Sequence, residues 1–271
     1  MLVTWHFDIW QCVQQKGDFR EGPLGFTVKQ EICPGLLADP YPNQFMAGIC
    51  AVSVYTDDEV HLLALFGDSV THMGYFSDPL TEFLYHRYPG KIAVINGGIC
   101  GNRIARDYPK IPLLPGGGHQ FGAAGKDRFL RNLYSEAVPD LLFIMEGVND
   151  STHSLLSDTE ENETPEHIFE AIEEVTQEAE KRGSRVLIAT IMPFGSDGMP
   201  FRELGNQIRV RCNELLREKI PAEKLIDLDE IMRDPDDIFH LQDGMHLGDG
   251  VHPNTFGGKK MAEAVFSRWF K

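Results

Sequence analysis

Five short stretches after residue 60 consist of apolar residues almost without a break. Strands that are buried on both faces of a parallel sheet show such runs, whereas strands with one face in water alternate apolar and polar side chains. The pattern therefore predicts five parallel strands. They cover residues 61–66, 91–96, 140–146, 185–192 and 224–229.

The segments between these runs carry apolar residues at helical spacing. After the third run, Thr164 is a predicted N-cap, Pro165 lies in the first turn and Gly183 can end the helix. The same three- and four-residue spacing predicts a helix around residues 204–216 and a last helix around residues 261–269. Strands that alternate with helices in this way predict a three-layer α/β/α sandwich.

Residues 1–60 show a different pattern, with several turn signals and short β-rich pieces such as GFTVKQEI and GICAVSVYT. We predict a small N-terminal β appendage here and one α/β domain over residues 61–271. The appendage is too short for a core of its own, so it should pack against the larger domain. Any edge strand that it leaves open would let a second copy of the chain pair with it and form a homo-oligomer.

Charge and composition exclude several classes of protein. A formal charge of -16, from 25 Lys and Arg against 41 Asp and Glu, disfavours nucleic acid and membrane surfaces as partners. No apolar run in the sequence is long enough to span a bilayer, and the first residues lack the basic region of a signal peptide. We therefore expect a cytoplasmic protein. The five scattered cysteines form no CxxC pair, so neither a disulfide framework nor a zinc ribbon is expected.

Residues that could take part in catalysis follow four of the predicted strands. The last of these groups lies just before the final helix. They should meet, because the carboxyl ends of parallel strands lie at one edge of the sheet. Each stretch alone is a weak signal, since a Gly-Asp-Ser after a strand is usually a turn that caps a helix. Together they supply a serine, backbone N–H groups next to glycines, a side-chain amide and an Asp/His pair. Acyl transfer requires such a set, namely a nucleophile, donors to the oxyanion, and a base with a residue that orients it. The stretches are residues 67–69, 96–102, 147–150 and 243–252.

The stretches LFGDSV, NGGICGN, EGVND and DGVHP occur in this order and resemble the four sequence blocks of the GDSL/SGNH hydrolase family. The resemblance covers residues 61–271, and the ordered set is far more specific than any one block. It implies a five-stranded parallel sheet with the flavodoxin-like strand order 2-1-3-4-5. The G-x-S-x-G motif of the α/β-hydrolases does not occur in the sequence, which disfavours that competing fold.

The resemblance also implies a role for five residues. Ser69 would be the nucleophile, and Asp249 and His252 would complete a catalytic triad. The backbone N–H groups of Ser69 and Gly101 and the side chain of Asn149 would form the oxyanion hole. These roles are chemically coherent, because a serine needs an imidazole to take its proton and a carboxylate can hold that imidazole in the required tautomer.

The pattern Asp-Gly-x-His occurs twice, at residues 243–246 and 249–252. We favour the second copy, because Pro253 restricts the backbone of His252, whereas a flexible Leu-Gly pair follows His246. The family's block also has its proline directly after the histidine. The first copy would then form a loop at the rim of the pocket. The alternative is a divalent-metal site built from both copies, but no HExxH-type pair supports it, and we expect neither metal nor cofactor.

These patterns predict a cofactor-independent serine esterase that works through an acyl-enzyme. No long apolar helix or lid is evident in the sequence, which favours short acyl groups such as acetyl on a carbohydrate or other small ester. A lipase, lysophospholipase or thioesterase of the same fold is the alternative within this class. A non-catalytic carbohydrate-binding or structural protein on the same fold is the alternative from another class.

Overall fold

The structure is a computed structural model that describes most of the chain from residue 59 onward and two short strands before it. Most of residues 1–60, where the β appendage is predicted, lies outside the described residues. The division into an appendage and a larger domain, and pairing with a second copy, therefore stay predictions. The described residues are 2–6, 51–55, 59–108, 121–135, 137–156, 161–195 and 198–270.

The seven strands of the described residues form two sheets. The strands β1 (Leu2–His6) and β2 (Ala51–Tyr55) pair antiparallel with each other. The other five pair in parallel in the order β4-β3-β5-β6-β7, which is the predicted order 2-1-3-4-5. These are β3 (His61–Gly67), β4 (Ile92–Asn96), β5 (Leu141–Met145), β6 (Arg185–Ala189) and β7 (Leu225–Ile226).

Helices cover both faces of the five-stranded sheet within the described residues. Helices α3, α5 and α6 contribute to the core on one face, and α2, α7 and α8 contribute to the core on the other. The three-layer sandwich is therefore confirmed. The helices are α1 (Ser69–His72), α2 (Ser77–Arg87), α3 (Gly125–Leu133), α4 (Asp150–His153), α5 (Pro165–Lys181), α6 (Pro200–Lys219), α7 (Leu228–Met232) and α8 (Thr255–Trp269).

The strand β3 shows why the apolar runs are continuous. Leu62 and Ala64 belong to the core on one face, while Leu63 and Leu65 belong to the core on the other. Because water reaches neither face, every position from 62 to 66 is apolar. Burial of each large apolar side chain contributes about 1.5–3 kcal/mol to folding.

Two predicted strands are at least three residues longer than the strands of the structure. The run 185–192 continues past the end of β6, and the run 224–229 contains only the two residues of β7. Asp227 ends β7 because its side chain accepts a hydrogen bond from the N–H of Glu230 at 3.0 Å and caps α7. None of the helices in the described ranges has the length and apolar character needed to cross a membrane.

Candidate active site

Ser69 is the first residue of α1 and follows β3 after a tight turn. Asp68 caps this short helix by accepting a hydrogen bond from the N–H of Val70 at 2.9 Å. The turn needs glycine at position 67, because a Cβ there would lie 2.6 Å from the carbonyl oxygen of Met145 on the neighbouring strand. The backbone thus presents a partly exposed Ser69 at the carboxyl edge of the sheet.

Two short hydrogen bonds link Ser69 to the second Asp-Gly-x-His copy. The Ser69 Oγ lies 2.8 Å from His252 Nε2, and His252 Nδ1 lies 2.6 Å from Asp249 Oδ2. An ionised carboxylate only accepts hydrogen bonds, so Nδ1 carries the proton in this pair. In the neutral imidazole, Nε2 is then free to accept the hydroxyl proton of Ser69.

The local backbone keeps the carboxyl group of Asp249 ionised. Burial alone would raise the pKa of this group. The hydrogen bonds from the His252 side chain and from the N–H groups of His252 and Val251 outweigh burial, and the pKa lies below its ordinary value of 3.8. The two N–H groups reach Asp249 Oδ1 at 3.0 and 2.9 Å, which leaves Oδ2 for the imidazole.

The first Asp-Gly-x-His copy has other contacts. The N–H groups of Gly248 and Gly250 donate to His246 Nδ1 at 3.1 and 3.3 Å, and Asp243 is exposed. His246 therefore supports the turn that carries the second copy. In the part of the chain that the structure describes, no group of three or more His, Cys, Asp or Glu side chains is arranged to hold a metal ion. The four Asp and His residues of the two copies thus do not form such a cluster.

The three predicted oxyanion donors lie at the ends of β3, β4 and β5. Among the described residues, the backbone N–H groups of Ser69 and Gly101 donate to no protein acceptor. Gly101 has a φ of 74°, and a Cβ there would overlap the ring of Phe121. The buried Asn149 amide donates to the carbonyl oxygen of Asn102 at 2.9 Å and lies 3.5 Å from Asp68 Oδ2. Asn149 therefore contacts the neighbours of both other donors.

Two buried carboxyl groups support the loops around Ser69. Burial raises the pKa of Asp68 to about 6 in spite of the hydrogen bond from the N–H of Val70. Burial likewise raises the pKa of Asp150 to about 6, although its oxygens accept from the N–H groups of Ile104 and Ala105, each at 2.9 Å. The Asp150 contacts connect the segment after β5 to the loop after β4, while the Asp68 contact caps α1, so each group braces a loop next to Ser69.

Arg128 on α3 and Glu146 after β5 were not among the residues predicted from the sequence. Both side chains are almost completely buried, and Arg128 Nη2 lies 3.3 Å from Glu146 Oε1. The sequence does carry one signal for the pair, because Glu146 directly follows the apolar residues 141–145 and a buried carboxylate needs a partner. Nothing in the sequence identifies Arg128 as that partner.

The geometry defines a class of site. The site holds a hydroxyl, an imidazole and a carboxylate joined by two short hydrogen bonds. Beside them lie two N–H groups that donate to no acceptor within the described part of the chain. Hydrolases with a serine nucleophile use these groups. They lie at the carboxyl edge of a parallel sheet, where ligands of α/β folds collect.

Comparison with known proteins agrees with this class. The chain belongs to the GDSL-like lipase/acylhydrolase family, whose family model matches residues 65–260. This match confirms the resemblance predicted from the sequence. No curated protein matches the chain.

Solved structures show the same fold at low sequence identity. The acetyl xylan esterase AlAXEase is 20% identical in sequence and has a TM-score of 0.56. The match covers 77% of this chain and 100% of the AlAXEase chain. The lipase/acylhydrolase from Enterococcus faecalis is 19% identical and has a TM-score of 0.55, and the match covers 77% of this chain and 94% of that one. A variant of Axe2, an acetyl xylan esterase from Geobacillus stearothermophilus, is 18% identical and has a TM-score of 0.56. The match covers 78% of this chain and 94% of the Axe2 chain.

Proposed function

We propose that the protein is a serine esterase that cleaves carboxylic esters through an acyl-enzyme. Ser69 is the nucleophile, His252 the general base and Asp249 the residue that orients the imidazole. The observation that carries this proposal is the hydrogen-bonded chain from Ser69 Oγ through His252 to Asp249, with distances of 2.8 and 2.6 Å. A binding protein would have no need for a serine hydroxyl activated in this way.

The proposed reaction has two halves. Ser69 Oγ attacks the ester carbonyl carbon while its proton moves to His252 Nε2, and the protonated imidazole then gives this proton to the departing alkoxide. Water enters, gives a proton to His252 and attacks the acyl-enzyme, and the carboxylic acid leaves as Ser69 regains its proton. Asp249 stabilises the imidazolium in both halves.

The negative charge of each tetrahedral intermediate develops on the former carbonyl oxygen. The N–H groups of Ser69 and Gly101 and the amide of Asn149 are the proposed donors to this oxygen. The two backbone N–H groups donate to no acceptor among the described residues. Asn149 has two amide hydrogens. One donates to the carbonyl oxygen of Asn102 at 2.9 Å, and the other faces Asp68 Oδ2 at 3.5 Å, a long contact that a substrate oxygen would replace.

A short acyl group such as acetyl on a carbohydrate or other small ester is the proposed substrate. The ring of Phe121 packs directly against Gly101 and stacks on His153 with a centroid distance of 5.3 Å. This aromatic pair limits the space on one side of the proposed oxyanion hole. Two of the similar structures are acetyl xylan esterases by name, which supports the same substrate class here.

The test is the hydrolysis of p-nitrophenyl acetate, p-nitrophenyl decanoate and an acetylated xylose by the wild type and by Ser69→Ala. We expect turnover of the acetate at a kcat/KM at least about tenfold above that of the decanoate, because each methylene of mismatch changes binding. Ser69→Ala should be inactive on all three. Faster hydrolysis of the decanoate would favour the lipase alternative, and a wild type inactive on all esters would favour the binding protein.

A further inference from the structure

The buried guanidinium of Arg128 lies beneath the proposed oxyanion hole. Arg128 is 1% exposed and belongs to α3, which packs against the sheet. Its Nη2 donates to the carbonyl oxygen of Gly67 at 3.1 Å and to Glu146 Oε1 at 3.3 Å, and its Nη1 donates to the carbonyl oxygen of Gly97 at 2.8 Å. One side chain thus holds the ends of β3, β4 and β5 together.

The same guanidinium holds both ends of the loop that carries Gly101. The contact with Gly97 fixes the start of this loop, and Arg128 Nε fixes its end by donating to Asn102 Oδ1 at 2.7 Å. The Asn102 amide donates in turn to the carbonyl oxygens of Phe121 and Ala123 at 2.7 and 2.8 Å. These bonds fix the orientation of the Asn102 side chain completely.

Asn102 passes this restraint on to Asn149. The backbone carbonyl oxygen of Asn102 accepts one amide hydrogen of Asn149 at 2.9 Å. That bond directs the other amide hydrogen to the side of Asp68 and Ser69, where Asp68 Oδ2 is 3.5 Å away. A shift of Asn102 would therefore move two donors, because Gly101 is its neighbour in the chain and Asn149 is bonded to its carbonyl.

Stability alone is a weak reason for a charge in this position. A buried ion pair is often no more stabilising than apolar side chains of similar volume, since both charges lose their hydration. A planar guanidinium, however, presents N–H donors on three nitrogens in a fixed plane and can bond acceptors on several sides, whereas a lysine ammonium has fewer donors on one nitrogen and an apolar residue has none.

We propose that Arg128 is a positioning residue that fixes the oxyanion donors Gly101 and Asn149 through Gly97 and Asn102. The proposal rests on the proposed function, since it concerns the same site. Arg128 contacts no substrate and acts only through these loop residues.

The experiment compares Arg128→Lys with Arg209→Lys in hydrolysis of p-nitrophenyl acetate. Arg209 on α6 is a matched control, because it is also fully buried, its Nε donates to Asn206 Oδ1 at 2.8 Å and its Nη1 pairs with Asp229 Oδ1 at 2.6 Å. Arg128→Lys should lower kcat about 10- to 100-fold with KM within about threefold, as misplaced donors would. Arg209→Lys should lower the melting temperature and leave kcat within about threefold.

A double-mutant cycle with Asn149→Ala separates positioning from general damage. If Arg128 acts partly through Asn149, the cost of Arg128→Lys should be at least about fivefold smaller in the Asn149→Ala background than in the wild type. Asn102→Ala removes the side chain that Arg128 Nε bonds but keeps the backbone carbonyl that accepts from Asn149. It should show the same coupling to Asn149→Ala, and it replaces Arg128→Lys in the experiment if that variant does not fold.

Three results would overturn the proposal: a wild-type kcat in Arg128→Lys or, where that variant does not fold, in Asn102→Ala; equal losses of kcat in both arginine variants; or full additivity with Asn149→Ala. Each of these requires an active wild type. An inactive wild type would instead refute the proposed function and this proposal with it, so the two failures are distinguishable.

Discussion

The segment before α8 contains Asp-Gly-Met-His and Asp-Gly-Val-His only six residues apart, and the two copies have different contacts. His252 of the second copy bonds Ser69 and Asp249 through its two ring nitrogens. His246 of the first copy accepts backbone hydrogen bonds from Gly248 and Gly250 instead. The same residue types thus give a pair that is hydrogen-bonded to Ser69 in one copy and a loop support in the other.

The residues directly after each histidine explain the difference. Pro253 comes after His252, and Asn254 then caps α8 by accepting from the N–H groups of Phe256 and Gly257, each at 3.0 Å. The second copy is therefore attached directly to a long helix. The first copy is held in turn by this cap, because Asn254 Nδ2 donates to the carbonyl oxygen of His246 at 3.2 Å.

The two histidines give the largest expected contrast. His252→Ala should lower kcat by about 10⁴-fold or more, because the nucleophile loses its base. His246→Ala should change kcat by less than about tenfold, because it loses only backbone contacts. Steady-state kinetics with p-nitrophenyl acetate measures both. Equal losses of kcat would contradict the difference between the copies.

The two aspartates should differ in the same direction. Asp249→Asn keeps the shape of the side chain but favours the wrong imidazole tautomer, and kcat should fall by about 10²- to 10⁴-fold. Asp243→Asn changes an exposed side chain and should leave kcat within about twofold. A normal kcat in Asp249→Asn would show that the 2.6 Å contact does not matter for turnover.

The proline after the second copy should have a smaller effect. Pro253→Ala keeps all side-chain contacts of His252 but frees the backbone on which the imidazole is held. We expect a loss of kcat of about two- to tenfold and a loss of about 0.5–1 kcal/mol in the free energy of unfolding. Kinetics and urea unfolding measure the two effects. An increase of kcat would argue that the restricted backbone is not needed.

The smallest contrast lies in the pH dependence of stability. The pKa of Asp249 is lowered in the folded protein, because its hydrogen bonds outweigh the effect of burial. Its contribution to stability is therefore fully present above its ordinary pKa of 3.8 and is lost as the pH falls through the lower folded value. The difference in unfolding free energy between the wild type and Asp249→Asn should therefore become smaller as the pH falls below 3.8. A difference that stays constant down to about pH 3 would contradict the assigned hydrogen bonds.

Much of the fold could be predicted because the sheet is buried on both faces. The apolar runs identified all five strands of the larger sheet, and Thr164 and Gly183 marked the ends of α5, where Thr164 caps the helix and Gly183 has a φ of 99°. The end of β7 could not be predicted, because Asp227 ends it through a side-chain contact. Apolar periodicity carries no information about such a contact.

The candidate site could be predicted only as far as its residues occur in recognisable blocks. Ser69, Asn149 and His252 each belong to a pattern in the sequence. Arg128 does not, because a charged residue in a helix is ordinarily exposed and its burial depends on acceptors from three separate strands. Partners that meet only in the folded chain leave no local pattern.

Labelling with a fluorophosphonate probe, followed by mass spectrometric mapping of the adduct, tests the central claim most directly. We predict one adduct per chain on Ser69, no adduct in Ser69→Ala, much slower labelling in His252→Ala and normal labelling in His246→Ala. A wild type that is not labelled, or an adduct on another residue, would contradict the assignment of Ser69 and the second Asp-Gly-x-His copy to the reaction.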